Sequence, residues 1–192
     1  MKSLSTVSDE SLVGKIRTHD RELYREIVNR YEKKLMRYAT YILKNDLEAA
    51  EVVQDSFIKA YVNLNGFDTK KKFSSWIYRI THNEAMNYIS KRKKLVSYDT
   101  NPECVGNITD TTADTQEDNF DKKTLTKLME KCLSDLPLGY REPIIFYYYE
   151  DKSYDEISDI LKVPINTVGT NISRGKRLLK EIYLKKEGKR IW

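Results

Sequence analysis

Cysteine and histidine are almost missing from this chain, which has two of each in 192 residues. Cys104 and Cys132 are too far apart in sequence for a metal or redox motif, and His19 and His82 complete no zinc set with them. Reduced structural thiols are the reading, with no metal and no cofactor expected. Glycine and proline are also scarce, at seven and four, which argues against a loop-rich β protein. No apolar run approaches the length of a membrane span, and the opening MKSLSTVSDE has no signal-peptide core. A cytoplasmic protein without direct membrane insertion is therefore expected. No repeat or low-complexity tract is visible.

Lys, Glu, Leu, Ile and Tyr dominate instead, a composition that favours helices. Apolar residues make up 40% and charged residues 33%, enough for real cores under a heavily solvated surface. The net charge of +5 is unevenly spread. Residues 1–94 carry 19 basic and 12 acidic side chains, residues 95–121 carry seven acids and no base, and residues 122–192 carry 15 bases and 10 acids. Two basic modules that face polyanions, separated by an acidic spacer, fit this distribution.

The periodicity predicts helices nearly throughout. Ser8 caps a first short one, with Leu12, Val13 and Ile16 inward. Asp20 caps a longer one striped by Tyr24, Ile27, Val28, Tyr31, Leu35, Tyr38 and Ile42. A third, over about 47–64, has Val53, Phe57, Ala60 and Leu64 inside and Glu48, Glu51 and Asp55 on an acidic outer edge. That edge is either solvated surface or a docking face for a basic partner. Phe67 and the run Lys70, Lys71, Lys72 form a basic loop. A fourth helix starts near Phe73 and ends in the cluster Lys91–Lys94, which includes Arg92. Basic clusters interleaved with aromatics suit melted nucleic acid, where bases stack on rings.

Residues 95–122 show no helical stripe and read as a flexible acidic linker. Helical pattern resumes near 122, breaks at Leu136-Pro137, and restarts at Pro143. Residues 153–180 then read as two helices joined by a tight turn. Ser153 and Glu156 form a capping box, and Lys162-Val163-Pro164 interrupts the pattern. Val168, Ile172, Gly175, Leu179 and Ile182 stripe the second helix. Its other faces carry Asn166, Thr167, Thr170, Asn171, Arg174, Lys176 and Arg177. A helix-turn-helix with a polar, basic outer face is the geometry that enters a DNA major groove, although a helical hairpin with a solvated face shares the pattern.

Two segments on either side of the linker resemble one family in the right order. EAAEVVQDSFIKAY (48–61) followed by FSSWIYRITHNEAMNYI (73–89) resembles region 2 of bacterial sigma factors. Residues 133–179 resemble their region 4. The short length and the lack of an intervening domain resemble the extracytoplasmic-function (ECF) subgroup of the sigma-70 family. The resemblance implies an all-α fold of two small helical domains, 1–94 and 123–192, joined by the linker at 95–122. It implies a non-catalytic specificity subunit that binds core RNA polymerase and promoter DNA, takes no small-molecule substrate, and is held in check by an anti-sigma factor.

By the same resemblance Glu48, Glu51, Gln54 and Asp55 dock on the polymerase. Phe67, Lys70, Lys71, Lys72, Trp76, Asn83, Asn87 and Arg92 act at the −10 element, where a flipped base is captured at a cost of a few kcal/mol. Trp76 reads mainly as core packing, and Asn83 and Asn87 are equally readable as structural. Asn166, Thr167, Thr170, Asn171, Arg174, Lys176 and Arg177 act at the −35 element, through base edges and phosphates. Gly169 and Asn171 stand where the family is commonly basic. The glycine either lets backbone approach DNA or marks a weaker helix. The acidic linker imitates RNA or only tethers. Two other readings start from the same residues. One is a free-standing regulator that binds an operator as a dimer. The other is a nuclease using Asp46, Glu48, Glu51 and Asp55, which lacks a histidine, nucleophile or third element.

Overall fold

The computed structural model describes residues 7–18, 20–98 and 117–188. Among them the chain forms eight α-helices and no strand. In order these are α1 (Asp9–Thr18), α2 (Tyr24–Leu43), α3 (Asp46–Val62), α4 (Phe73–Tyr98), α5 (Glu117–Asp135), α6 (Leu138–Tyr148), α7 (Tyr154–Leu161) and α8 (Ile165–Gly188). The all-α expectation holds. Residues 99–116, the middle of the expected linker, lie outside the described residues together with His19. The helices reach into that linker from both sides, α4 running on to Tyr98 and α5 starting at Glu117.

Local chemistry sets most boundaries. The Ser8 hydroxyl accepts the Ser11 N–H at 3.2 Å, and Asp20 accepts the Glu22 N–H at 2.9 Å. Lys44 ends α2 in the left-handed region at φ 60°. Asn45 then caps α3 by accepting from Leu47 and Glu48. Each cap satisfies N–H groups that the helix itself leaves unpaired. The start of α4 is capped from another helix, because the Phe73 N–H donates to Glu10 of α1 at 2.9 Å. Arg17 of the same helix donates to the carbonyls of Leu64 and Phe67, fixing the turn between α3 and α4.

Helices α1 to α4 enclose a core of Leu12, Ile27, Leu35, Tyr38, Val53, Phe73, Ile77 and Tyr78. Helices α5, α6 and α8 share a smaller cluster of Leu133, Leu136 and Ile144, with Leu178, Leu179 and Ile182 packed on it. One boundary differs from the sequence expectation. Helix α6 starts at Leu138, not Pro143, and carries that proline inside. An interior proline costs a helix about 3 kcal/mol, but full burial of Ile145 and Phe146, with Ile144 nearly so, offsets the loss.

The second difference is larger. The halves are not held apart by the acidic spacer. Ile145, Phe146, Ile157, Ile160 and Val168 belong to the same core as α1 to α4. The Phe146 ring stacks on Tyr38 with centroids 4.6 Å apart. Two buried glutamates, one in α6 and one just past it, reach across the junction. Glu150, just beyond the helix end, takes Arg37 Nε at 2.8 Å and the Tyr78 hydroxyl. Glu142 lies 2.8 Å from His82 Nδ1 and accepts from the Tyr38 hydroxyl at 3.3 Å.

Gly175 shows how tightly α8 sits on α6. A Cβ there would lie 2.7 Å from Ile144 Cδ1 and 3.3 Å from the Tyr140 carbonyl oxygen. Gly175→Ala is therefore expected to destabilise the fold by about 1–2 kcal/mol, since overpacking outweighs the helix propensity gained. Urea denaturation measures it, and an unchanged midpoint would contradict this packing.

Candidate functional site

The outer face of α3 is acidic and apolar together. Glu51, Gln54 and Asp55 are exposed, and Leu47, Ile58 and Val62 share their stripe at 79%, 54% and 72% exposure. Sequence reasoning named the acids and missed the apolar residues. Ile58 and Val62 follow Leu47 by 11 and 15 positions, close to three and four helical turns, and that spacing was the available signal. Exposed apolar groups beside like-signed charge suit a docking face for a basic partner. Glu48 stands apart from this set, because it pairs with Arg92 of α4 at 3.0 Å. A side chain expected at the polymerase and one expected at DNA thus neutralise each other here. Asp46, offered as a metal ligand in the nuclease reading, accepts the Thr40 hydroxyl at 2.8 Å.

Between α3 and α4 the chain turns on Asp68, which accepts the Lys70 N–H at 3.0 Å. This turn projects Lys70, Lys71 and Lys72 into solvent. Phe67 does not project. It is 4% exposed, edge-on to Phe73 at 5.5 Å and against Trp76 at 5.1 Å. The structure places it in the core, because a ring so packed gains more from burial than from water. Trp76 is half-buried beside it and borders a cleft of about 370 Å³ with Asn63, Asn83 and the Lys59–Glu84 ion pair. Trp76 and Asn83 are thus brought together. Asn87 is exposed one turn further along α4, outside the cleft.

On the other half, α7 opens with the expected capping box, in which Ser153 and Glu156 exchange hydrogen bonds. Lys162 closes it in the left-handed region at φ 57°, and α8 follows. Asn166, Thr170, Arg174, Lys176 and Arg177 are exposed, while Thr167 and Asn171 are half-buried. The Thr170 hydroxyl donates to the Asn166 carbonyl at 2.8 Å, so only its oxygen lone pairs remain for a base edge. Lys176 lies 5.9 Å from the centroid of the Tyr148 ring.

Gly169 faces Tyr154, whose ring carbon would lie 3.4 Å from an added Cβ. That is ordinary contact, so space does not require glycine. Gly169→Ala is expected to stabilise the chain by up to about 1 kcal/mol, and a lowered thermal midpoint would count against it.

Helix α7 also meets the basic loop. Glu156 pairs with Lys72 at 3.2 Å. Asp159 pairs with Lys162 at 2.7 Å and with Arg79 of α4 at 3.1 Å. Burial pushes the Glu156 pKa up, but the Ser153 N–H and Lys72 outweigh it and hold it below its ordinary value. Lys162 holds Asp159 down against partial burial, with Arg79 adding to the effect. Depressed carboxylate pKa values contribute stability above the ordinary carboxylate range and lose it as pH falls through the folded values. Thermal midpoints measured downward from pH 6 are expected to fall less steeply in the Glu156→Gln, Asp159→Asn chain than in the parent.

Residues 27–95 match the family model for Sigma-70 region 2, and residues 126–179 match that for Sigma-70, region 4. The ECF RNA polymerase sigma factor SigW of Bacillus subtilis is 32% identical over 176 residues, covering 88% of this chain and 93% of that protein. The ECF RNA polymerase sigma-E factor of Haemophilus influenzae is 29% identical over 181 residues, covering 90% and 94%. Among solved structures, the sigma factor RpoE of Bartonella quintana, in complex with the anti-sigma factor NepR, superposes with a TM-score of 0.67. It is 22% identical, and the match covers 83% of this chain and 95% of that one. CnrH in complex with the cytosolic domain of CnrY gives a TM-score of 0.65 at 20% identity, covering 91% and 96%. At those identities the structural likeness concerns the fold.

Proposed function

Because the chain belongs to the ECF sigma factors of the sigma-70 family, we propose that it serves in the cytoplasm as a non-catalytic subunit giving core RNA polymerase its promoter specificity. The observation that carries this is one chain holding both modules in order. An acidic, partly apolar docking face on α3 precedes a basic, aromatic-lined surface on α4, and a capped helix-turn-helix follows. A free-standing dimeric regulator would leave the match over 27–95 without a purpose.

Each surface takes one role. Glu51, Gln54 and Asp55, joined by Leu47 and Ile58, dock on the polymerase, with Glu48 available once Arg92 leaves it. Lys70, Lys71 and Lys72 hold phosphates of the opened −10 strand, and the cleft beside Trp76 and Asn83 takes an extruded base. The exposed start of α8, Asn166 to Thr170, meets base edges of the −35 element, while Arg174, Lys176 and Arg177 hold phosphate. A solved relative in complex with an anti-sigma factor supports such an inhibitor as a further partner.

Run-off transcription with core polymerase on a genomic promoter library tests the reading. The expected result is initiation at a shared pair of −35 and −10 sequences. No association with the host core enzyme would overturn it.

A further inference from the structure

The contact between α7 and α4 gives the helix-turn-helix a second use. Helix α7 lays carboxylates onto Lys72, one of the cations proposed to hold opened DNA, and onto Arg79 one and a half turns into α4 beside it. Lys72 meets Glu156 at 3.2 Å and Arg79 meets Asp159 at 3.1 Å. Asp159 also closes a cavity of about 130 Å³ whose other walls include Phe67, Lys71, Lys72, Trp76 and Arg79. The two acids are three residues apart on a helix, so they stand on one face about 5–6 Å apart at Cβ, a spacing on the scale of successive phosphates along a strand. Neither is a loose surface charge. One Glu156 oxygen is held by the Ser153 N–H while the other meets Lys72. Asp159 is pinned by Lys162 at 2.7 Å.

The junction behind these pairs mixes buried charge with apolar packing. Its polar centre is Glu150 with Arg37 and Tyr78, and Glu142 with His82 and Tyr38. Closing the halves strips water from both glutamates, a desolvation cost that offsets much of the gain from burying Phe146 and its neighbours. Opening returns the carboxylates to water.

We propose that α7 is an internal substitute for promoter DNA: in the closed chain Glu156 and Asp159 occupy Lys72 and Arg79 as phosphates would, and the halves must separate before the α4 surface takes single-stranded DNA. This rests on the reading of that surface as the site of the opened −10 strand.

The test uses the full chain, with fluorescence anisotropy on a pool of single-stranded DNA 15-mers of randomised sequence at fixed salt. The variant Glu156→Gln with Asp159→Asn removes both charges, and glutamine preserves the capping box. A control, Glu22→Gln with Glu32→Gln, makes the same charge change at exposed positions remote from the contact. The expected result is binding at least about tenfold tighter for the first variant, as two cations are freed for phosphate. The control should gain far less. Adding Lys72→Ala and Arg79→Ala should abolish the gain, and small-angle scattering should show a larger radius for the neutralised chain. If those alanines weaken the parent and the neutralised chain equally, with no gain from neutralisation, the substitution role is overturned and the DNA-binding reading stands. If neither chain binds the pool while scattering shows the neutralised one open, the DNA-binding reading fails and the inference falls with it.

Discussion

Replacing Phe146 with alanine should cost about 3–5 kcal/mol and lower the thermal midpoint on the order of 10 °C. The ring has no exposed surface. It stacks on Tyr38 at 4.6 Å and meets Tyr78 edge-on at 5.6 Å. Both tyrosines are nearly or fully buried, and each already spends its hydroxyl on a glutamate from the other half. Neither can follow the lost ring into the gap, so the cavity stays open and the full packing loss is felt. The effect bears on the closed arrangement as well as on one domain. If the halves stood apart in solution, Phe146 would be an exposed aromatic and its removal would change the midpoint by less than about 2 °C. Circular dichroism at 222 nm during heating decides between these outcomes.

Reversing charge on α3, with Glu51→Arg and Asp55→Arg together, should weaken association with core polymerase by about 100-fold or more while leaving the fold intact. Both side chains are exposed, so the helix loses little. At a partner surface of opposite sign the cost is several kcal/mol, because attraction becomes repulsion at close range. Affinity measured by surface plasmon resonance, alongside an unchanged thermal midpoint, checks both halves of the statement. Leu47→Asp should have an effect of similar direction, since a 79% exposed leucine contributes nothing to the fold. Full binding by the charge-reversed chain would move the docking face elsewhere.

Much of the architecture was legible in the sequence because helix periodicity and caps are local. The stripe from Tyr24 to Ile42, the break at Lys44–Asp46 and the capping box at Ser153 and Glu156 each follow from residues within a few positions of one another. Features that depend on distant partners were not legible. The pattern gave Pro143 as a helix start, since nothing local reports that Ile144, Ile145 and Phe146 are buried from three sides. The docking of the halves escaped for the same reason: Glu142 and Glu150 read as ordinary surface acids until Arg37, Tyr38, Tyr78 and His82 arrive from elsewhere. At the candidate site the cationic residues were placed correctly on the surface. Phe67 was misread as available for bases because an aromatic beside lysines has the same local signature whether it faces DNA or the core. Arg92 was assigned apart from Glu48, which lies 44 positions away in sequence and at ion-pair distance in the fold.

The tie between α1 and the start of α4 has a practical consequence for anyone reading phenotypes. Glu10 holds the first N–H of α4, and Arg17 holds the Leu64 and Phe67 carbonyls on the other side of the lysine loop. Together they work as a two-point clasp on a stretch more than 40 positions downstream. A bulky fusion that tugs on α1, or a screen hit such as Glu10→Lys or Arg17→Ala, would slacken that loop without altering one of its exposed lysines. On the role proposed for that loop, such a hit would score as a defect in promoter opening, although the fault lies in the hinge pin and not in the door.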